Sequence, residues 1–406
     1  MPASPLKILF FAEGATLAHV ARPYVVAQAL DSRAFEVVLA RPPAFAWLTA
    51  DSGFRTVDLP CQESRVFAQR LNRGLPLYDY ATLADYVAFD LALIDTEKPD
   101  IVIGDFRLSL SVSARLHGVP YATICDAYWS PEYPLRPPLP VLAFTRFTPI
   151  PVANFLFRYA SPLAMRLHTL PLERLRAHHR LPSLGHDLRR CYTDADLRLF
   201  ANFPALFTEV RTSAQANFIG PISWSPASPQ GLELSTPGKP LVYVTMGSSG
   251  DVGVLGSVID TLEQFDCNIV VSTAGRKLPR EIRSASTRVF DYLPGDQVCQ
   301  QASLVVCNGG SPTTNQALAH GVPVLGIASN MDQFLNMRAI EGFGAGILVR
   351  GDRASNDRLR AAAHSLLTDP RPAERARTLA HSAAAGSVLP IAHLMEGLLQ
   401  RSKSTH

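Results

Sequence analysis

Short apolar runs alternate along this chain with stretches in which apolar positions recur every three or four residues. Lys7-Ile-Leu-Phe-Phe-Ala12 predicts a buried strand, and His19 to Leu30 has the spacing of a helix. Phe35–Ala40 reads as the next strand. Leu83, Val87, Leu91 and Ile94 then mark one face of a helix that ends near Pro99. Strand Asp100–Gly104, helix Ser109–His117 and strand Tyr121–Cys125 continue the alternation. The rhythm breaks between about Tyr128 and Arg190, where proline, aromatic and arginine residues interleave. It resumes at Leu197–Ala201 and Phe218–Gly220.

The second half repeats the pattern more clearly. Leu241–Thr245, Asn268–Ser272, Arg288–Phe290, Leu304–Cys307 and Pro323–Ala328 read as strands, with helices at Val252–Phe265, Pro312–His320 and Gln333–Ile340. Such alternation implies parallel sheets with crossover helices. The predicted fold is therefore α/β: two Rossmann-like, doubly wound parallel-sheet domains facing across a cleft. Ser, Pro and Gly crowd residues 223–240, which predicts a linker between domains at 1–222 and 241–385. A last helix within 386–406 is expected to pack back on the first domain. Ligands in such sheets sit beyond the carboxyl ends of the strands, so the cleft is the expected site.

Composition narrows the function classes. A chain of 406 residues suits two domains, and 47% hydrophobic with 18% charged residues excludes a disordered, collagenous or coiled-coil protein. The net charge of +3 gives no electrostatic argument for a nucleic-acid partner. No apolar run approaches a membrane span, and Glu13-Gly14 directly after Ile8–Ala12 makes that run a first strand rather than a signal peptide. Six cysteines lack any CxxC or metal-ligand spacing, which predicts free thiols and a cytoplasmic location.

The sharpest local chemistry lies in Cys307-Asn-Gly-Gly-Ser-Pro-Thr-Thr314. A buried strand ends, two glycines turn the backbone, and a helix opens with Pro312 in its first turn. Unpaired N–H groups and the positive helix end make an anion site there, although a plain β–α turn has the same local pattern. A second Gly-rich turn, Met246–Asp251 with Ser248, could cradle the other side of a diphosphate. Neither turn is a Walker A loop. The Glu13–His19 turn lacks GxGxxG, which disfavours a dinucleotide cofactor. Asp194 and Asp196 resemble a metal-holding pair but read better as a polar turn before a strand.

Taken in order, four stretches resemble the UDP-glycosyltransferase-like superfamily, and within it the bacterial natural-product, macrolide-type branch. They are Tyr243–Ser248, Phe290-Asp-Tyr-Leu-Pro294 with Asp296, Asn308–Thr314, and Gly321-Val-Pro323 leading to Asp332-Gln333 and Asn336. The first half is similar more loosely, through the His19 loop and Pro99-Asp-Ile-Val-Ile-Gly-Asp105. The resemblance implies a GT-B fold with an acceptor in the first half and a nucleotide diphosphate-sugar, UDP- or TDP-linked, in the second. It implies no cofactor, no metal ion and an inverting transfer of a hexose to a hydroxyl of an aromatic, polyketide or lipid acceptor.

Carried over by position, His19 is the general base and Asp105 the carboxylate that orients it. Tyr292 stacks on the base, while Ser248, Gly309, Gly310 and Thr313 contact the diphosphate. Asn308 and Gln316 occupy further donor-contacting positions, and Asp332 and Gln333 bond sugar hydroxyls. The set is chemically coherent, since a histidine near neutrality can take a hydroxyl proton and a carboxylate on its other nitrogen fixes the tautomer. Singly, each has a plainer reading: His19 as a helix cap, Asp105 as a turn residue, Asp332 as the cap of a helix starting at Gln333. Joint occurrence selects the functional one.

The chain departs from the family at several of these points. Asn308 stands for the usual His, Gln316 for a Glu that grips the ribose, Pro312 for a Gly, and Ala18 for the Gly before the histidine. Asn308 cannot become cationic, and Pro312 offers no N–H. Glu13 lies in the same loop as His19, where some relatives use a carboxylate as base. These departures motivate a second class of function, a non-catalytic nucleotide-sugar-binding or auxiliary protein; a nucleotide-sugar epimerase shares the fold. Finally, Leu135–Arg190 holds nine arginines against Glu173 and Asp187, with Phe144, Phe147, Phe155, Phe157 and Tyr159 among them. The favoured reading is the aromatic wall of an acceptor pocket with arginines solvated outside; membrane-surface contact is the alternative, disfavoured because no clean amphipathic face is evident.

Overall fold

In the computed structural model the residues described are 5–226, 234, 238–247, 250, 252–278, 284, 286–384 and 390–405. Leu9, Phe10, Phe11 and Ala12 are wholly buried, as a strand covered on both faces requires. That strand, β1 (Leu6–Ala12), is joined by β2 (Phe35–Arg41), β3 (Arg55–Asp58), β4 (Ile101–Asp105), β5 (Tyr121–Cys125), β6 (Leu197–Phe200) and β7 (Ala216–Phe218). Their order is β3-β2-β1-β4-β5-β6-β7, all parallel. The second sheet holds β8 (Leu241–Thr245), β9 (Asn268–Ser272), β10 (Thr287–Phe290), β11 (Ala302–Cys307), β12 (Val324–Ala328) and β13 (Gly346–Arg350). It is again parallel, in the order β10-β9-β8-β11-β12-β13. Both sheets are doubly wound, and the strand order reverses between β1 and β4 in one and between β8 and β11 in the other. Crevices open at those two points.

Most expected strands recur within a residue or two; the two edge strands β3 and β13 lie outside the expected set, β3 because it is short and largely polar, β13 although Ile347-Leu348-Val349 is an apolar run. The helix read at Val252–Phe265 divides into a tight 3₁₀ turn, Val252–Val254, and a shorter helix Leu255–Leu262. The largest correction lies between Tyr128 and Arg190. There a 29-residue helix, Ile150–His178, runs through two internal prolines, Pro162 and Pro171. Each proline withholds an N–H from the carbonyl four residues earlier, and the hydroxyl of Ser161 leans toward the carbonyl freed at Arg158 (3.5 Å).

Before this helix the chain crosses to the second sheet. Arg350 bonds the Leu139 carbonyl (2.6 Å), Val141 bonds Ser329 (2.7 Å), and Arg353 holds the carbonyls of Thr145 (2.9 Å) and Thr148 (3.1 Å). At the other end of the chain, helix Ile391–Thr405 inserts Leu394, Met395 and Leu398 among Ile8, Phe10 and Leu39 of the first sheet. One apolar cluster joins the two halves, with Tyr128, Phe203 and Phe207 packed against Leu335, Met337 and Ile340.

Candidate functional site

At the first crevice, Asp105 ends β4 directly beside Ala12 at the end of β1. The helix Ala18–Gln28 starts after the β1 loop and brings His19 over the strand ends. The ring Nδ1 of His19 lies 2.8 Å from Asp105 Oδ1. Phe106 stacks on the imidazole, with centroids 4.9 Å apart and planes 17° from parallel. It does so from a left-handed backbone conformation, φ 57°, which costs a non-glycine residue on the order of 1 kcal/mol or more. Pro23, four residues after His19, has no N–H for the His19 carbonyl, so the helix is loosened where the histidine sits. The side chain keeps 17% of its surface exposed.

Beneath this pair lies a buried network that sequence reasoning missed. Arg22 bonds both oxygens of Asp105, through Nε at 2.7 Å and Nη2 at 2.8 Å, and its Nη1 reaches Asp126 at 2.8 Å. Asn202 donates to Asp126 as well (3.0 Å), and the Ser311 hydroxyl of the second half helps to stabilise the same carboxylate. Burial opposes the charge of Asp126, yet Arg22, Ser311 and Asn202 together hold its carboxyl below the ordinary range. Ser311 is the first residue of helix Ser311–Ala319. A continuous polar chain thus runs from His19 to the helix N-terminus in the other sheet. One signal was available: Arg22 is three residues from His19, on the same helix face.

Glu13 sits elsewhere. Its carboxylate is fully buried against Arg107 (3.0 Å) and accepts from Tyr86 (3.2 Å), while Arg107 also grips Asp90 (3.0 Å). Burial pushes the Glu13 carboxyl up, against the pull of Arg107.

At the second crevice, Gly309 adopts φ 79°, and a side chain there would meet Met337 at 2.5 Å, so glycine is required. The Gly310 N–H donates to Asn308 Oδ1 (3.1 Å), and the Gly309 N–H points at the Cys307 sulfur (3.3 Å). The asparagine thus closes a turn on the Gly310 N–H and occupies that donor. Thr313 lies half-buried in the first helical turn, and Pro312 beside it. Ser248 lies outside the described residues. The Gln316 amide donates to Ser225 Oγ (2.9 Å) on the segment joining the halves, the same hydroxyl that takes the Asp296 N–H.

The Asp332 loop differs from the simplest expectation. The helix begins at Met331, and Asn330 caps it, accepting from the Gln333 N–H (3.0 Å). Gln333 Oε1 returns to the N–H groups of Ser329 (2.8 Å) and Asn330 (3.3 Å), which commits that oxygen to the capping box. Asp332 therefore caps nothing. Its Oδ1 accepts from Tyr128 Oη and Trp129 Nε1, each at 3.0 Å, across the cleft. Loss of water contact and the neighbouring Asp126 push its carboxyl up, against those two hydrogen bonds and the nearby His19. Tyr292 is 57% exposed at the rim, with Trp47 of the first half 6.4 Å away and Trp224 5.6 Å beyond Trp47. Among the described residues no cluster of three His, Cys, Asp or Glu is arranged to hold a metal, and no helix is long and apolar enough to cross a membrane. None of the six cysteines, all described, forms a disulfide.

Comparison with known proteins meets this geometry from outside. Residues 256–391 match the family described as erythromycin biosynthesis protein CIII-like, C-terminal domain. The chain is 42% identical over 378 residues to a PGL/p-HBAD biosynthesis glycosyltransferase of Mycobacterium tuberculosis H37Ra, covering 93% of this chain and 88% of that one. It is 40% identical over 376 residues to a PGL/p-HBAD biosynthesis rhamnosyltransferase of Mycobacterium bovis BCG, covering 92% and 83%. Among solved structures, the glycotransferase of kitacinnamycin superposes with a TM-score of 0.71 at 21% identity, over 98% of this chain and 99% of that one. Two doubly wound sheets, a cleft lined from both, and near-full-length identity above 40% converge: the chain belongs to the GT-B-fold glycosyltransferases related to the bacterial natural-product enzymes.

Proposed function

We propose that this glycosyltransferase moves a hexose, with inversion and without a metal ion, from a UDP- or TDP-sugar to a hydroxyl of a small aromatic, polyketide or lipid acceptor. The first half, residues 1–222, receives the acceptor and residues 241–385 the donor. The carrying observation is the His19–Asp105 contact at the β1/β4 crevice, joined through Arg22 and Asp126 to the helix N-terminus at Ser311. His19 Nε2 takes the acceptor proton as the oxygen forms its bond to the anomeric carbon. The bond from that carbon to the diphosphate breaks on the opposite face, and the charge leaves onto the donor phosphates. Asp105 stabilises the imidazolium, and Arg22 fixes both oxygens of Asp105 so that the carboxylate cannot rotate away. Asp332 offers Oδ2 to a sugar hydroxyl while Tyr128 and Trp129 hold Oδ1. The exposed Tyr292 ring stacks on the base, and Thr313 with the Gly309–Gly310 turn takes the phosphates once Asn308 releases the Gly310 N–H. The relative named a rhamnosyltransferase makes rhamnose the first sugar to test. Free thiols support a cytoplasmic setting.

The test pairs turnover with donor binding. His19→Ala is expected to lower kcat by about 10²–10⁴-fold while TDP or UDP binding by calorimetry stays within a factor of about two. Undiminished turnover would remove His19 from the mechanism. Glu13, locked against Arg107, is poorly placed to replace it.

A further inference from the structure

The helix Ile150–His178 carries an apolar stripe that no described residue covers. Val152, Phe155, Leu156, Tyr159, Leu163 and Leu167 recur every three or four residues, so they share one face, and all are exposed, Tyr159 by 70% and Leu163 by 63%. Phe144 and Phe147, on the segment leading into the helix, extend the stripe; Phe147 is 90% exposed. Where no clean amphipathic face was evident in the sequence, the helix presents one, continuous through Pro162. A contiguous exposed patch of this kind marks an interaction surface.

The charges on the same segment identify its partner. From residue 133 to 172 there is no acidic residue, and Arg136, Arg146, Arg158 and Arg166 are all exposed. A second copy docked on this face would bring its own arginines and no acidic residue from the same segment to an already positive surface, which disfavours self-association. Aromatic and aliphatic side chains ringed by arginine match instead the interface of a bilayer with anionic headgroups. We propose that this face docks the protein on an anionic lipid surface. The segment leading into it is bonded at Val141 to Ser329, three residues before Asp332, so docking sets the lipid surface beside the cleft. This inference is independent of the proposed roles of His19 and Asp105.

Flotation of the full chain with vesicles tests it. Phosphatidylcholine vesicles containing about a third phosphatidylglycerol should capture the protein, pure phosphatidylcholine should capture at least tenfold less, and raised salt should release it. The pair Phe155→Ser with Tyr159→Ser, and separately Arg158→Gln with Arg166→Gln, should each lower capture at least tenfold while leaving the thermal midpoint within about 2 °C, since all four side chains are exposed. Absence of capture, or equal capture by neutral vesicles, overturns the proposal. So does a dimer in light scattering that the aromatic pair dissociates.

Discussion

Arg107 shows how much buried charge the loop after β1 rests on. It is fully buried, faces two carboxylates, Glu13 and Asp90, and lies 3.5 Å over the Tyr86 ring. Removing one member of such a cluster strands charge in the interior. Arg107→Met is therefore expected to lose about 3–5 kcal/mol in urea denaturation. The pH dependence carries a definite sign. Burial pushes the Glu13 and Asp90 carboxyls up, and a carboxyl raised in the folded state favours folding below its unfolded value, a contribution lost as pH rises through the folded one. Without its cation that loss deepens, so the variant should regain part of its deficit between about pH 8 and about pH 5; a deficit constant across that range would contradict the account. His19, Asp105 and Asp332 could be named as candidates because motif order carried them, and the structure brings them to the strand ends that line the cleft. Arg22, Asp126 and Ser311 could not be, because their partners come from separate elements that only the strand order brings together.

Elements differ in how openly they declare themselves. The interior strands, such as Tyr121–Cys125 and Leu241–Thr245, were readable to the residue because both faces are buried and every position is apolar or small. The short edge strand β3 and the helix Ile150–His178 were hard to read, β3 because it is largely polar and the helix because Pro162 and Pro171 interrupt its pattern. The turn after β11 was readable for a stronger reason: its glycine is forced. Gly309→Ala must relieve both φ 79° and a 2.5 Å approach to Met337. It should lose about 1–3 kcal/mol and weaken nucleoside diphosphate binding, measured by calorimetry, whereas Gly53→Ala, in open space, serves as the neutral control.

On the scale of the molecule, alternation of strand and helix disclosed two sheets and a last helix returning to the first, but the sequence held no sign of which core residues that helix completes. Met395 is fully buried, and with Leu394 and Leu398 it completes the core of a sheet that begins almost 400 residues earlier. Met395→Ala should cost about 2–5 kcal/mol, and in differential calorimetry it should lower the transition of the first sheet although it lies last in the chain. The same crossing gives a rule for exchange between relatives. The second sheet is spliced into the first like an inserted cassette, entering after Phe218 and leaving before Ile391. A hybrid cut once, in the linker, inherits a foreign helix against its own core; one cut at both joints keeps each core with its own kin. Recombination that reassorts these enzymes should therefore leave paired breakpoints.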